Sequence, residues 1–221
     1  MTHEEILQSL YDNTLIGNAP EVKDLTNAGL ADGMDPESIL YDALIPSLEE
    51  VGARFERGDF FVPEMLIAAR AMQGALDILR PLLAETGAQQ VGTYVMGTVK
   101  GDVHDIGKNL VNIMLEGAGF TVIDLGVNVA PEKFIEKINE VNPDIVGFSA
   151  FLTTTMPMFK ANINAIEKAG LREKVIIMVG GAPVTQEYAD AVGADGYAAD
   201  ASTAVRLAKD LINKKRNLVT A

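Results

Sequence analysis

The residues best able to do chemistry lie together in the run G-T-V-K-G-D-V-H-D-I-G-K-N-L-V-N, from Gly97 to Asn112. Within it Asp102, His104 and Asp105 set an imidazole between two carboxylates, one two residues before it and one directly after. An imidazole that donates from one ring nitrogen to a carboxylate has a fixed tautomer and a more basic second nitrogen, which suits a metal ligand. A solvated loop histidine among acids is the plainer reading, and residue types alone leave the two level. The chain's other histidine, His3, stands near a terminus, where chains fray. Phosphate chemistry is not supported. Gly107-Lys108 is followed by Asn109 rather than Ser or Thr, and Asp102 stands where a phosphate loop has its first Gly. Gly97, Gly101 and Gly107 do not give the dinucleotide spacing G-x-G-x-x-G either, although they allow tight turns and close backbone approach.

The flanking residues say what must position this run. Val91 to Met96 reads as a buried strand, and Leu110, Val111, Ile113, Met114 and Leu115 as the inward face of a helix. The run is therefore a strand-loop-helix corner, the place where parallel α/β sheets bind ligands. From Val91 onward strands are expected near 91–97, 120–125, 144–149, 174–179 and 195–199, with helices near 106–118, 131–141, 154–170, 184–192 and 201–214. Their apolar runs do not alternate, as expected of strands buried on both faces. Regular alternation with right-handed crossovers gives a five-stranded, doubly wound parallel sheet. In the flavodoxin-like, Rossmann-like order 2-1-3-4-5 its crevice opens between the first and third strands.

Residues 1–87 read as all helix and residues 88–221 as the α/β domain. The first helix, Glu4 to Leu15, is followed by a second from Pro20 to Leu30. Asp35-Pro36 opens a third, whose stripe of Leu40, Leu44, Leu48, Val51 and Phe55 continues past Pro46, so a kink is expected there. Pro63 begins a fourth, carrying Met65, Ala68, Ala69, Met72, Leu76 and Leu79. Short connections make these a four-helix bundle. The polar stretch Glu85 to Gln90 is the expected linker.

Composition narrows the function. With no cysteine among 221 residues there are neither disulfides nor thiolate metal sites, which fits a reducing cytoplasm. A net charge of −13 argues against nucleic acid and anionic membranes as partners. No apolar run approaches a membrane span, and the start M-T-H-E-E-I lacks the basic residues of a signal peptide.

Asp102-Val103-His104-Asp105-Ile106-Gly107 matches D-x-H-x-x-G, and Ser149 and Gly180-Gly181 follow the third and fourth strand runs. In these elements the chain resembles B12-binding domains of the methionine synthase type, including corrinoid proteins of methanol, methylamine and aryl-ether (O-demethylase) methyltransferase systems. The family pattern after the serine is S-x-L, whereas Ser149-Ala150-Phe151 places Leu152 one residue later. The resemblance implies a cobalamin or related corrinoid bound base-off and His-on. His104 would be the lower cobalt ligand and Asp102 the acceptor of its other ring nitrogen. A proton gained or lost through this pair would help cobalt change coordination between Co(I) and its methylated state. Gly101, Val103, Asp105, Ile106 and Gly107 would form the loop at the cofactor. Ser149, Leu152, Gly180 and Gly181 would bind or make room for the displaced nucleotide tail, and Thr153, Thr154 and Thr155 would bond that tail or cap the next helix. The apolar turn holding Phe60, Phe61, Met65 and Leu66 looks like the family's lid over the upper face of the cofactor, where it would exclude water.

The implied function is methyl carriage. A substrate-specific corrinoid methyltransferase would load the carrier, a second methyltransferase would pass the methyl to tetrahydrofolate or coenzyme M, and a reductive activase would return Co(II) to Co(I). The resemblance spans nearly the whole chain, so a free-standing cytoplasmic carrier is expected. Two other classes share the domain: the cobalamin-binding subunit of an adenosylcobalamin-dependent mutase, and a B12-sensing regulator. The helical cap argues against the first. Against the second, Lys214, Lys215 and Arg216 read as a solvated helix end and not a DNA-binding region.

Overall fold

The structure is a computed structural model that describes residues 1–86 and 91–219. The chain divides into two compact units, the second beginning at Val91. Glu85 and Thr86, expected in the linker, close a helix, and the rest of that linker with the 87/88 boundary lies outside the described residues.

The first unit is helical. Its helices are α1 (His3–Leu15), α2 (Ala19–Ala31), α3 (Pro36–Ser38), α4 (Ile45–Glu56) and α5 (Val62–Thr86), with a π-helical stretch, Ile39–Leu44, between α3 and α4. Thr2 and Glu5 form a capping box at α1, and Asp35 accepts the N–H of Glu37 at 3.0 Å at the start of α3. The expected kink at Pro46 takes a different form. Proline cannot donate to the carbonyl four residues back and crowds it. The chain widens ahead of Pro46, so that the N–H of Ile45 reaches back five residues to the Leu40 carbonyl. Leu10, Val22, Ile39, Leu44, Val51, Met65, Met72 and Leu79 fill the core of this unit.

The second unit alternates strand and helix through β1 (Gly92–Thr98), α6 (Ile106–Gly117), β2 (Phe120–Asp124), α7 (Pro131–Val141), β3 (Ile145–Ser149), α8 (Pro157–Lys168), β4 (Ile176–Gly180), α9 (Gln186–Val192), β5 (Gly196–Ala198) and α10 (Ala201–Val219). All neighbours are parallel and the order is β2-β1-β3-β4-β5, the expected doubly wound sheet. On one face Phe134, Phe148 and Phe159 anchor the core, with Phe134 and Phe148 edge-to-face at 4.8 Å. Gly97 is needed for this packing, since a Cβ there would come within 2.8 Å of the Phe134 ring.

The register sets up the site. Thr98 on β1 pairs with Ser149 on β3, and Ser149 with Gly180 on β4. The three strands therefore end level, and the loops that follow them leave the sheet side by side.

Candidate functional site

The loop after β1 is folded around one carboxylate. The Asp102 side chain is fully buried, whereas that of His104 is 44% exposed. Asp102 Oδ1 accepts the backbone N–H of His104 at 3.0 Å and lies 2.8 Å from His104 Nδ1. Oδ2 accepts the N–H groups of Phe151 and Leu152 at 2.8 and 3.1 Å and the Thr155 hydroxyl at 2.7 Å. Burial alone would raise the pKa of this carboxyl. The backbone N–H of His104, the Thr155 hydroxyl, the His104 ring and the N–H of Phe151 outweigh burial and hold it well below the usual carboxylate range. A depressed pKa gives stability that is fully present above about 3.9, the unfolded value, and is lost as pH falls through the folded one. Near neutrality Asp102 is thus an anion. It fixes the proton on Nδ1 and leaves Nε2 as the nitrogen available for coordination.

His104 is pinned at every other point as well. Its carbonyl accepts the hydroxyl of buried Thr98 at 3.1 Å, and its ring lies 4.5 Å from that of Phe151. Around it Val103, Ile106, Phe151 and Leu152 are 66%, 76%, 53% and 39% exposed, an apolar rim uncommon on a soluble surface. Asp105 faces along α6, where its Oδ2 accepts from Asn109 at 3.2 Å. Lys108 is buried and gives its ammonium to Asp124 at the end of β2 and to Asn109, so it has no part in holding a phosphate.

The glycines divide by what surrounds them. Gly101 has φ +87°, which turns the chain into the loop. A Cβ on Gly107 would meet nothing within 4 Å, so the protein's own packing does not require glycine there. At Gly180 a Cβ would make only ordinary contact with the Ala198 carbonyl, at 3.4 Å, which fits the expected open space. Gly181 differs: its φ is +130° and a Cβ would sit 1.9 Å from the Ala150 oxygen. Its glycine is required by the approach of its own backbone to Ala150, just past β3.

The structure brings Asp102, His104 and the Phe151–Thr155 segment together and starts the Ser149 and Gly180 loops level with them. Thr153 and Thr154 are exposed, but neither caps α8, whose N-cap is Met156 without a side-chain hydrogen bond. That part of the sequence expectation is corrected: it is Thr155 that turns inward, and its task is Asp102. Sequence reasoning also missed Thr98, which nothing distinguishes from any strand-end threonine, and Asn128, whose signal was an Asn after Gly126-Val127 at a left-handed position, φ 55°. In the helical unit Phe61 and Leu66 are exposed and Phe60 lies under the Arg54 guanidinium at 5.2 Å. Met65 is fully buried, a core side chain and not an exposed one.

Among the described residues no group of three or more His, Cys, Asp or Glu converges to hold a bare metal ion. The apolar rim and the open space at Gly107 suit a broad, flat ligand.

Comparison with known proteins agrees. Two family profiles, each described as B12 binding domain, match residues 92–206 and 6–80. The chain is 44% identical to dimethylamine corrinoid protein 1 of Methanosarcina acetivorans, over 96% of this chain and 100% of that protein. It is 40% identical to trimethylamine corrinoid protein 2 of the same organism, over 95% and 97%. Among solved structures, the methanol:cobalamin methyltransferase complex MtaBC of Methanosarcina barkeri aligns with a TM-score of 0.83 and 28% identity, covering 95% of this chain and 80% of that one. A cobalamin-binding protein of Desulfitobacterium hafniense aligns at 0.76 and 29%, covering 93% and 98%. The fold is that of a B12-binding protein. More narrowly, the chain belongs to the corrinoid proteins of methyltransferase systems, and its cofactor is a cobalamin or related corrinoid.

Proposed function

We propose that this protein carries a methyl group on its corrinoid, with His104 as the lower ligand of cobalt in a base-off, His-on arrangement. The observation that carries the reading is the buried, ionised Asp102, which locks His104 Nδ1 and leaves Nε2 for coordination among exposed apolar side chains. When bound, the corrinoid supplies a cobalt that takes up and gives up a methyl group. The chain's own residues do the rest. Asp102 keeps the proton on Nδ1, and Phe151, Leu152 and Thr155 keep Asp102 in place. Val103 and Ile106 would offer an apolar seat, and Ser149, Leu152, Thr153, Thr154, Gly180 and Gly181 would bind or make room for the nucleotide tail.

The relatives' names favour a methylamine as donor, presented by a methyltransferase specific for it. A second methyltransferase acting on tetrahydrofolate or coenzyme M, a reductive activase for Co(II), and a cytoplasmic location complete the reading. Among the described residues no helix is long and apolar enough to cross a membrane.

Methyl transfer tests it. Reduced, corrinoid-loaded protein is combined with a dimethylamine methyltransferase and dimethylamine, and monomethylamine is measured. Release that requires this protein supports the reading; no release here or in the matching trimethylamine and methanol assays overturns it.

Gly107 gives an independent check on the seat. With open space around it near the start of a helix, Gly107→Ala should leave the apo fold intact or raise its stability by up to about 1 kcal/mol. The same change should weaken uptake of hydroxocobalamin, because the new methyl group occupies the face where the macrocycle lies. Thermal unfolding and a binding titration read the two effects apart, and unaltered uptake would move the seat elsewhere.

A further inference from the structure

The loop between β2 and α7 holds the His104 loop at both ends. On the near side Asn128 Oδ1 accepts the N–H of Gly101 at 2.8 Å, and the N–H of Asn128 donates to the Asp102 carbonyl at 2.9 Å. On the far side Asp124 takes the buried ammonium of Lys108 from α6, while its other oxygen accepts the N–H of Gly126 at 2.8 Å. Between these points the loop runs beside the end of β1. Thr98 donates to the Gly126 carbonyl at 3.0 Å, and Val129 donates back to the Thr98 carbonyl at 2.9 Å.

Three of these residues have backbones that few side chains tolerate: Asn128 has φ 55°, Gly101 has φ +87° and Gly126 has φ +81°. Asparagine adopts the left-handed region more readily than other non-glycine residues, and its short amide can still reach a neighbouring main-chain group. At position 128 it supplies both the turn and the acceptor. The bond to Gly101 fixes the Lys100–Gly101 peptide, and the Asn128 N–H on the Asp102 carbonyl fixes the peptide after Asp102, the residue whose carboxylate aims the His104 ring.

We propose that Asn128 is a positioning residue for cobalt ligation: it sets the Gly101–Asp102 backbone so that Asp102 presents His104 for coordination, with the Lys108–Asp124 pair securing the other end of the loop. This rests on the reading of His104 as the cobalt ligand. The hydrogen bonds of Asn128 go to Gly101 and to the Asp102 carbonyl, and it acts through them. Losing its acceptor should therefore change the balance between histidine-ligated and histidine-free cofactor without removing the binding site.

Two substitutions separate this from a general structural role. Asn128→Gly keeps the left-handed backbone and removes the acceptor; Asn128→Asp keeps both. Each is loaded with hydroxocobalamin at one fixed pH beside wild type and His104→Ala, the ligated fraction is read from the visible spectrum, and thermal unfolding of the apo proteins is recorded. Loss of one hydrogen bond corresponds to a roughly three- to tenfold shift of the balance toward the histidine-free form in Asn128→Gly. Asn128→Asp should restore the wild-type ratio, and the unfolding midpoints should stay close. A His104-sensitive spectrum that is indifferent to Asn128→Gly overturns the positioning role alone. So does a shift that follows lowered thermal stability and is not rescued by Asn128→Asp. If wild type and His104→Ala give the same spectrum, the ligand reading falls and this proposal with it.

Discussion

Asp102→Ala should destabilise the α/β unit by about 3 kcal/mol or more and abolish histidine ligation together. Five donors converge on this one buried carboxylate: the N–H groups of His104, Phe151 and Leu152, the Thr155 hydroxyl, and the His104 ring. A hydrogen bond to a charged group contributes roughly 1.5–3 kcal/mol net, and bonds sharing one acceptor do not add fully, so about 3 kcal/mol is a cautious sum. Alanine takes this acceptor from the N–H groups of His104, Phe151 and Leu152, while the Thr155 hydroxyl keeps the Leu152 carbonyl at 2.8 Å, and it removes what fixes the imidazole tautomer. Asp102→Asn should be milder, because its amide oxygen can serve only one side of the network while its NH2 faces donors on the other. Denaturant unfolding of the apo proteins, with the visible spectrum of the loaded ones, reads both effects. An unchanged unfolding midpoint in Asp102→Ala would mean that the carboxylate organises nothing.

Gly181→Ala should be comparably damaging. A Cβ there meets the Ala150 oxygen at 1.9 Å, and a φ of +130° lies where L side chains are rarely found. Backbone strain of this kind costs about 1–3 kcal/mol before the clash is counted. The structure can relieve it only by parting the end of β4 from Ala150, whose N–H donates to the Gly180 carbonyl at 3.2 Å. That movement would carry Phe151 and Leu152 with it, the residues that brace Asp102. We expect the thermal midpoint to fall by about 6–12 °C, the shift for roughly 3 kcal/mol in a protein of this size, and the ligated fraction to fall as well. Differential scanning calorimetry checks the first; a midpoint within a degree or two of wild type would show that β3 and β4 tolerate the added methyl.

The contrast with Gly107 shows what was legible in the sequence and what was not. Strand order, helix placement and the strand-loop-helix corner at His104 follow from apolar runs and turn residues, which are local signals. Register then brings Thr98, Ser149 and Gly180 level, as the order of strands requires. What a residue does within a loop depends on partners far away in the chain. Nothing in the run Thr153-Thr154-Thr155 says which hydroxyl turns inward, because the deciding acceptor is 53 residues earlier. Gly180 and Gly181 look alike in the sequence, yet a Cβ on one would make ordinary contact with a carbonyl at 3.4 Å and on the other would clash with one at 1.9 Å. Met65 shares its apolar turn with Phe61, yet Met65 lies on α5 and is buried, whereas Phe61 precedes the helix and is exposed. The π-helical stretch before Pro46 was hidden for a similar reason: the stripe continues through it, and the sequence records the proline but not how the helix makes room for it.

The most direct measurement is the visible spectrum of wild type and His104→Ala, each reconstituted with hydroxocobalamin. The account predicts stoichiometric uptake by wild type with the spectrum of base-off, histidine-ligated cofactor, and in His104→Ala a spectrum that has lost the histidine. Failure of wild type to take up the corrinoid, or spectra identical in the two proteins, would contradict it and return Asp102 and His104 to an acidic loop whose buried network has another purpose.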